Sequence, residues 1–242
     1  MGHVKIIQSG NKLEIFEYEK EITSKPYYRT PRKRSQSGDI SLRTIRVDNS
    51  RRRIKSFRRL VTSNLVGEAK PSLLTLTMYE IVSLRRGYFA FHKFIRKLRK
   101  DCGKTFRYIA VPEFQKRGAV HFHCIIWGLD EKKIIKKEHE TRYLQSLWQR
   151  GFLDCTPTDG HDKLTGYLAK YMSKSLLDDR LHYEKAFVAS SNVLRPMSTS
   201  IGTALNYTKE IWGLDLSTAI PLLQREFKTQ WLGKGTYRIF DI

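Results

Sequence analysis

The spacing of apolar residues along the middle of the chain changes several times between the periods of strands and helices. Short apolar runs bounded by turn residues are typical of strands, and they fall at residues 73–79, 106–114, 119–127 and 152–156. Apolar residues at steps of three and four are typical of one helix face, and they fall at residues 81–98, 141–150 and 164–177. The pattern therefore predicts the order β-α-β-β-α-β-α.

This order of elements predicts an α+β fold. The second and third strands are joined by Lys116, Arg117 and Gly118, a short connection that predicts a hairpin and hence antiparallel pairing. A β-α-β-β-α-β order favours a ferredoxin-like or RRM-like antiparallel sheet with helices packed on one face. The first helix, which the pattern starts at Ile81, is expected to end at Gly103 because glycine favours helix C-termini.

The segments on either side of this core have weaker patterns. Residues 1–47 are predicted to be a basic and partly flexible N-terminal segment, and residues 48–200 to be the main domain. Residues 201–242 are expected to be a C-terminal extension that packs on the core. Within that extension, residues 204–212 favour a helix and Tyr237–Phe240 favours an edge strand.

Basic residues are concentrated between residues 29 and 59. The first half of this stretch contains proline, serine and glycine and is typical of a flexible arm. The second half predicts a helix, because Ile54, Phe57 and Val61 recur at helical steps and residues 48–49 (Asp-Asn) can cap it. Six cations, five on this helix and one in the hairpin turn, are candidates for DNA contact: Arg51, Arg52, Lys55, Arg58, Arg59 and Arg117.

The overall charge narrows the class of partner. The 242 residues carry a formal net charge of +21, which favours nucleic acid as the partner and leaves an anionic membrane surface as the alternative. No apolar run is long enough to span a bilayer, and the N-terminus lacks the order of a signal peptide. Three widely spaced cysteines argue against a disulfide framework. We therefore expect a cytoplasmic protein without a membrane partner.

Candidate metal ligands gather on the predicted hairpin. His121 and His123 are two residues apart, so their side chains share one face of an extended strand. Glu113 lies across the turn, where paired residues approach to about 5 Å between Cβ atoms. Two imidazoles and a carboxylate suit Mg²⁺ or Mn²⁺ with a phosphate oxygen completing the shell, and they also suit zinc.

The last predicted helix of the core carries candidates for catalysis. Four of its polar residues fall within an arc of about 100° at 100° per residue, and these are Tyr167, Lys170, Tyr171 and Lys174. A phenol has a pKa of about 10 and is a poor nucleophile at neutral pH, but neighbouring ammonium groups and a metal ion favour the phenolate. Its attack on a phosphodiester gives a phosphotyrosine ester that conserves the bond energy and can be reversed.

Together these motifs resemble the HUH endonuclease superfamily, specifically the rolling-circle replication initiators of small phages and plasmids. Thr75 and Thr77 are similar to the first family motif, and the segment from Val111 to His123 is similar to the metal-binding motif. Residues 167–174 look like the tyrosine motif of the two-tyrosine branch. The metal motif precedes the tyrosine motif, which is the order of replication proteins, whereas relaxases show the reverse.

The resemblance implies a sequence-specific nick in single-stranded DNA at a replication origin, with a 5′-phosphotyrosyl link and a free 3′-OH for polymerase. It implies Mg²⁺ or Mn²⁺ as cofactor and a host helicase and polymerase as partners. Tyr171 is expected to attack first and Tyr167 to take the second transfer, although spacing alone does not separate them. A transposase of the same superfamily and a non-catalytic RRM-like module stay as alternatives; the latter is disfavoured because the central strands carry Glu and His rather than exposed aromatics.

Overall fold

A computed structural model of the protein describes residues 3–22, 39–67, 70–129, 140–158, 163–181, 184–201 and 205–242. The strands in this part of the chain are β1 (His3–Ser9), β2 (Lys12–Tyr18), β3 (Ser72–Thr77), β4 (Arg107–Phe114), β5 (Val120–Trp127), β6 (Leu153–Pro157), β7 (Val188–Ala189), β8 (Met197–Ile201), β9 (Leu223–Thr229) and β10 (Gly233–Asp241). The α-helices are α1 (Asp39–Ser63), α2 (Leu84–Cys102), α3 (Glu140–Trp148), α4 (Lys163–Leu177) and α5 (Leu205–Trp212), and a 3-10 helix spans Asp179–Leu181.

The described residues divide into two compact units, each with its own five-stranded sheet. The larger unit contains Ser50–Val61 and Leu65–Leu194. Its sheet has the order β6-β3-β5-β4-β7 with antiparallel neighbours. The chain passes through it as β3-α2-β4-β5-α3-β6. This β-α-β-β-α-β unit confirms the predicted α+β class with an antiparallel sheet.

Both faces of this sheet are covered by helices. On one face, apolar residues of the strands, such as Leu74 and Phe122, form a core with residues of α2 and α3, such as Phe94 and Trp148. The prediction of helices on one face therefore holds for the two helices inside the β-α-β-β-α-β unit. On the opposite face a second core joins residues of β4 and β5 to α1 and α4, for example Phe57, Val111, Ile125, Leu168 and Met172. The residues predicted to be catalytic lie on this second face.

Two helix boundaries differ from those predicted. Ile81 lies outside α2 and is exposed, because the helix begins after Ser83, whose hydroxyl accepts the Arg86 N–H as an N-cap. The predicted end of α2 at Gly103 is confirmed, since that residue has φ 78° and its N–H donates to the Arg99 carbonyl. Helix α1 begins at Asp39 rather than at the predicted cap at residues 48–49, and the arm predicted before it lies at residues outside the described part of the chain.

The smaller unit contains the N-terminal strands, Thr62–Asn64 and the residues from Arg195 to Ile242. Its sheet has the order β8-β1-β2-β10-β9. The prediction that Tyr237–Phe240 forms an edge strand is wrong, because β10 lies between β2 and β9 and pairs with both. Its core on one face of the sheet contains Ile6, Ile15 and Phe240, so the short alternating strands at the two ends of the chain bury their apolar residues together.

Candidate active site

The three predicted metal ligands lie at the centre of the larger sheet. Glu113 of β4 is paired with His121 of β5, and His121 is paired on its other side with Thr77 of β3. The next row of the same face contains His123, flanked by Val111 and Thr75. Because directly paired residues of antiparallel strands share a face, the register brings Glu113, His121 and His123 together as predicted.

The Glu113 carboxylate makes polar contacts with two other side chains of the site. One oxygen, Oε2, lies 2.8 Å from His123 Nε2, and the other, Oε1, accepts a hydrogen bond of 2.8 Å from Lys174 Nζ. Burial raises the pKa of Glu113, but the hydrogen bonds and charges of Lys174 and His123 outweigh it and hold this pKa below its usual value. Glu113 is therefore ionised at neutral pH.

Both histidines have nitrogen atoms that are suited to a metal ion. Burial lowers the pKa of His121 to about 4, assisted by the charge of His123. Burial also lowers the pKa of His123, although Glu113 opposes this shift. Within the described part of the chain, His121 Nε2 and His123 Nδ1 are buried and have no hydrogen-bond partner. Two neutral imidazoles with unpartnered nitrogens beside an ionised carboxylate form a donor set whose chemistry fits a divalent cation.

The side chains are nevertheless not arranged as a finished coordination shell. Over the residues that the structure describes, no group of three or more His, Cys, Asp or Glu side chains is arranged to hold a metal ion. The Glu113 oxygens face His123 and Lys174 instead of a point shared with His121. Metal binding at these residues therefore stays a prediction.

Helix α4 lies over the same face of the sheet and presents its tyrosines to the histidines. Leu168 and Met172 are fully buried on its packing side, as its helical periodicity predicts. The Tyr171 ring stacks on the His123 ring with centroids 3.5 Å apart and planes 17° apart. The Tyr167 ring meets Tyr171 edge-on at 4.9 Å. Both predicted nucleophiles therefore lie at the candidate metal site.

The two tyrosines differ in their surroundings. Burial, followed by a hydrogen bond with Tyr171, raises the pKa of Tyr167 to about 12. A hydrogen bond with Thr75 opposes this shift, and the charge of Asp154 adds to it. Asp154 is paired with Thr75 in the same row as His123. Reasoning from the sequence missed Asp154, although its alternation with Leu153 on the last strand of the core could have placed it on this face.

The two lysines of the predicted polar stripe also have different positions. Lys174 bonds to Glu113, and its ammonium group lies 5.3 Å from the centroid of the Tyr171 ring. Lys170 is exposed and has no hydrogen-bond or ion-pair partner among the described residues. Lys174 is therefore part of the site, whereas Lys170 faces solvent at its margin.

The cations predicted to contact DNA lie in two places. Those of α1 are on its outer surface, where Arg51, Arg52, Lys55 and Arg58 are exposed and Arg59 is half-buried. Arg117 lies in the hairpin turn, and its guanidinium donates to the main-chain carbonyls of Met78 and Tyr79. An open cavity of about 510 Å³ lies beside this turn and is lined by residues 113–117 and His121. This volume is within the range of pockets that bind small ligands.

Comparison with known proteins agrees with the resemblance found in the sequence. Residues 71–176 match the model of the family described as "Replication-associated protein ORF2/G2P". The matched segment runs from the start of β3 to the end of α4 and contains the histidines, Glu113 and both tyrosines. The match confirms the predicted resemblance to replication-associated proteins over these residues.

No curated protein and no solved structure matches the chain.

None of the helices in the described part of the chain is both long and apolar enough to cross a bilayer.

Proposed function

We propose that the protein is a metal-dependent endonuclease and strand transferase that nicks single-stranded DNA at a replication origin and thereby starts rolling-circle replication. The observation that carries this proposal is the stack of Tyr171 on His123, which is itself joined to Glu113. A phenol in contact with a His–His–Glu donor set combines a nucleophile with ligands for an ion that activates phosphodiesters.

In this proposal the Tyr171 oxygen attacks the phosphorus of the scissile phosphodiester. The bond between phosphorus and the 3′ oxygen of the preceding nucleotide breaks, which leaves a 5′-phosphotyrosyl ester and a 3′-OH. The phenol proton passes to solvent and the leaving oxygen takes one up, so protons balance. The reverse reaction, with a 3′-OH as the attacking group, rejoins the strand. Because the ester conserves the bond energy, joining needs no nucleotide cofactor.

Glu113, His121 and His123 are the residues that would hold the divalent ion, and we expect Mg²⁺ or Mn²⁺ there. Such an ion polarises the phosphodiester and favours the phenolate form of a nearby tyrosine. Lys174 supports the same chemistry in two ways: it orients Glu113, and its ammonium charge lies near the Tyr171 ring. Lys170, at the solvent margin, is proposed to contact the DNA phosphates.

The surroundings of the two tyrosines favour a division of labour. Tyr167 shares a hydrogen bond with Tyr171, and burial raises the pKa of Tyr167 to about 12, so its phenolate forms less readily than that of an unperturbed tyrosine. We therefore propose that Tyr171 makes the first attack while Tyr167 waits as a neutral phenol for the second transfer that ends a round. The proposed partners are single-stranded DNA at the origin and, after the nick, a host helicase and polymerase. The match to a replication-associated family supports this part of the proposal.

The test is covalent capture of DNA by the protein. A single-stranded oligonucleotide pool with a randomised centre is incubated with the protein in Mn²⁺, and the adducts are digested and examined by mass spectrometry. Tyr171→Phe should abolish the first adduct, because it removes the attacking oxygen and preserves the ring. Tyr167→Phe should retain the adduct, and Tyr207→Phe, in the smaller unit, serves as the matched control.

The possible results separate the parts of the proposal. An adduct on the peptide that contains Tyr171 supports the assignment, and an adduct confined to Tyr167 reverses the order of the two residues. If the wild-type protein forms no adduct on either tyrosine with Mn²⁺ or Mg²⁺, the covalent mechanism is refuted.

A further inference from the structure

Two exposed aromatic rings lie directly beside the candidate active site. Beyond the ends of β3 and β6, the ladder between the two segments continues, because the Thr77 N–H donates to the Phe152 carbonyl and the Tyr79 N–H donates to the Arg150 carbonyl, each at 2.8 Å. Phe152 therefore opposes Thr77, and Arg150 opposes Tyr79. The side chain of Tyr79 is 70% exposed and that of Phe152 is 58% exposed.

The alternation of side chains places both rings on the face of the active site. Met78 and Leu153, the neighbours of Tyr79 and Phe152 in sequence, are buried in the core on the opposite face of the sheet. His121 is paired with Thr77, and Thr77 is opposite Phe152. The three residues therefore lie side by side across three neighbouring segments of the sheet. With about 4.8 Å between neighbouring strands, this places the backbone of Phe152 about 10 Å from that of His121.

The backbone next to Tyr79 is held by two hydrogen-bonding side chains, and Gly151 packs closely against it. Arg117 donates to the carbonyls of Met78 and Tyr79. Trp148 Nε1 donates to the Thr77 carbonyl at 2.9 Å. Gly151 lies so close to this carbonyl that a Cβ atom there would be 1.9 Å from the oxygen. The rings are therefore presented to solvent on a fixed support, and such preorganisation lowers the entropic cost of binding a ligand.

Two exposed cations lie on segments next to the rings. Arg150 is exposed and lies opposite Tyr79 in the extended ladder. Lys116, in the hairpin turn, is also exposed and lines the cavity beside His121. Single exposed aromatics are common on protein surfaces, but two rings in adjoining rows with cations at their edge are the combination that single-stranded nucleic acid requires. The formal charge of +21 favours the same occupant over an uncharged protein surface.

We propose that Tyr79 and Phe152 form a stacking site for bases of single-stranded DNA next to the scissile phosphodiester. This inference rests on the proposed function, because the face of the sheet that it extends is the one on which the strand would be cut. Bases stack on the two rings, Arg150 binds a phosphate of the same segment, and the neighbouring phosphodiester reaches His121 and Tyr171. Stacking uses the π-face that every base has, so the site positions the strand without reading most of its sequence.

The test measures binding without cleavage. The affinity of the full chain for a fluorescein-labelled oligo-dT is measured by anisotropy in EDTA. Tyr79→Leu and Phe152→Leu, which keep apolar bulk but remove the ring, should each weaken binding by about 5- to 150-fold, which corresponds to about 1–3 kcal/mol per stacked base. Tyr79→Phe keeps the ring and should bind as the wild type does.

A matched control comes from Phe89 on α2, which is 70% exposed and belongs to a helix that packs on the opposite face of the sheet. Phe89→Leu should leave the affinity unchanged. Wild-type affinity in both Tyr79→Leu and Phe152→Leu overturns the stacking site, and so does an equal loss in Phe89→Leu.

The same variants separate this inference from the proposed function. If the wild-type protein forms the Tyr171 adduct in Mn²⁺ while the Leu variants bind oligo-dT normally, the stacking site is refuted and the nicking activity stands. If the Leu variants lose affinity while the wild-type protein forms no adduct, the site stands as a binding surface and the covalent mechanism fails.

Discussion

A buried hydroxyl group links the tyrosine helix to the sheet, and removing it tests the architecture of the site. Ser175 of α4 is only 1% exposed, and its Oγ donates to the carbonyl of Pro112 in β4. Pro112 precedes Glu113, and Ser175 follows Lys174, so this bond lies beside the ion pair between Glu113 and Lys174. Ser175→Ala should leave the Pro112 carbonyl buried without this donor.

The expected magnitude follows from the cost of an unsatisfied buried carbonyl. Leaving such a group without its partner costs about 1–3 kcal/mol. In a chain of this size, each kcal/mol lowers the melting temperature by about 2–4 °C. Ser175→Ala should therefore lower the melting temperature by about 2–12 °C, as measured by circular dichroism.

Ser173 of the same helix provides a matched control. Its hydroxyl donates at 2.8 Å to the carbonyl of Ala169, one turn earlier in α4, so its removal leaves no strand carbonyl unpaired. Ser173→Ala should change the free energy of unfolding by no more than about 0.5 kcal/mol. Equal effects of the two substitutions would refute the conclusion that Ser175 anchors the helix to β4.

Three other predictions concern the ion, the basic helix and pH. EDTA and His121→Ala should each abolish the covalent adduct and leave affinity for oligo-dT nearly unchanged, and full adduct formation in chelator would refute the metal-ion role. The second prediction concerns four arginines of α1, namely Arg51, Arg52, Arg58 and Arg59. Neutralising them should lower the slope of log K against log salt concentration by about 0.7 for each lost single-strand contact. An unchanged slope would mean that these residues form a solvated surface without a role in binding DNA. The pKa of His121 is about 4 in the folded chain and about 6.5 in the unfolded chain. The unfolded chain therefore binds the proton first, and the free energy of unfolding falls as the pH drops from about 6.5 towards 4. Denaturant titrations of His121→Asn should show a shallower fall over this range, and an unchanged pH dependence would contradict the lowered pKa of His121.

The geometry of the candidate metal ligands followed from local rules. The short connection at Lys116–Gly118 fixes the hairpin register, and once it is fixed, Glu113 must oppose His121. The period of two then places His123 on the same face. The helical period similarly separated the tyrosines of α4 from Leu168 and Met172, because one turn of a helix repeats every 3.6 residues.

Features that depend on distant partners did not follow from the sequence. The alternation in Lys12–Tyr18 indicates a strand, but nothing local identifies Gly233–Asp241 as its neighbour, because alternation determines the face of a strand and not its partner. The pairing of Asp154 with Thr75 was missed for the same reason. Ile81 fitted the helical period of α2, yet the helix begins only after the N-cap at Ser83, so Ile81 precedes it.

The position of the tyrosine helix links the chemistry to folding. Helix α4 lies after the last strand of the β-α-β-β-α-β unit, and the pairing of Glu113 with His121 lies wholly within that unit. Tyr171, the proposed nucleophile, contacts His123 only when this helix is packed on the sheet. A shift of one residue along the helix rotates it by about 100° and would remove this stack together with the bond from Lys174 to Glu113. The buried residues of α4 therefore determine the position of the Tyr171 side chain, the proposed attacking group, as well as contributing to stability.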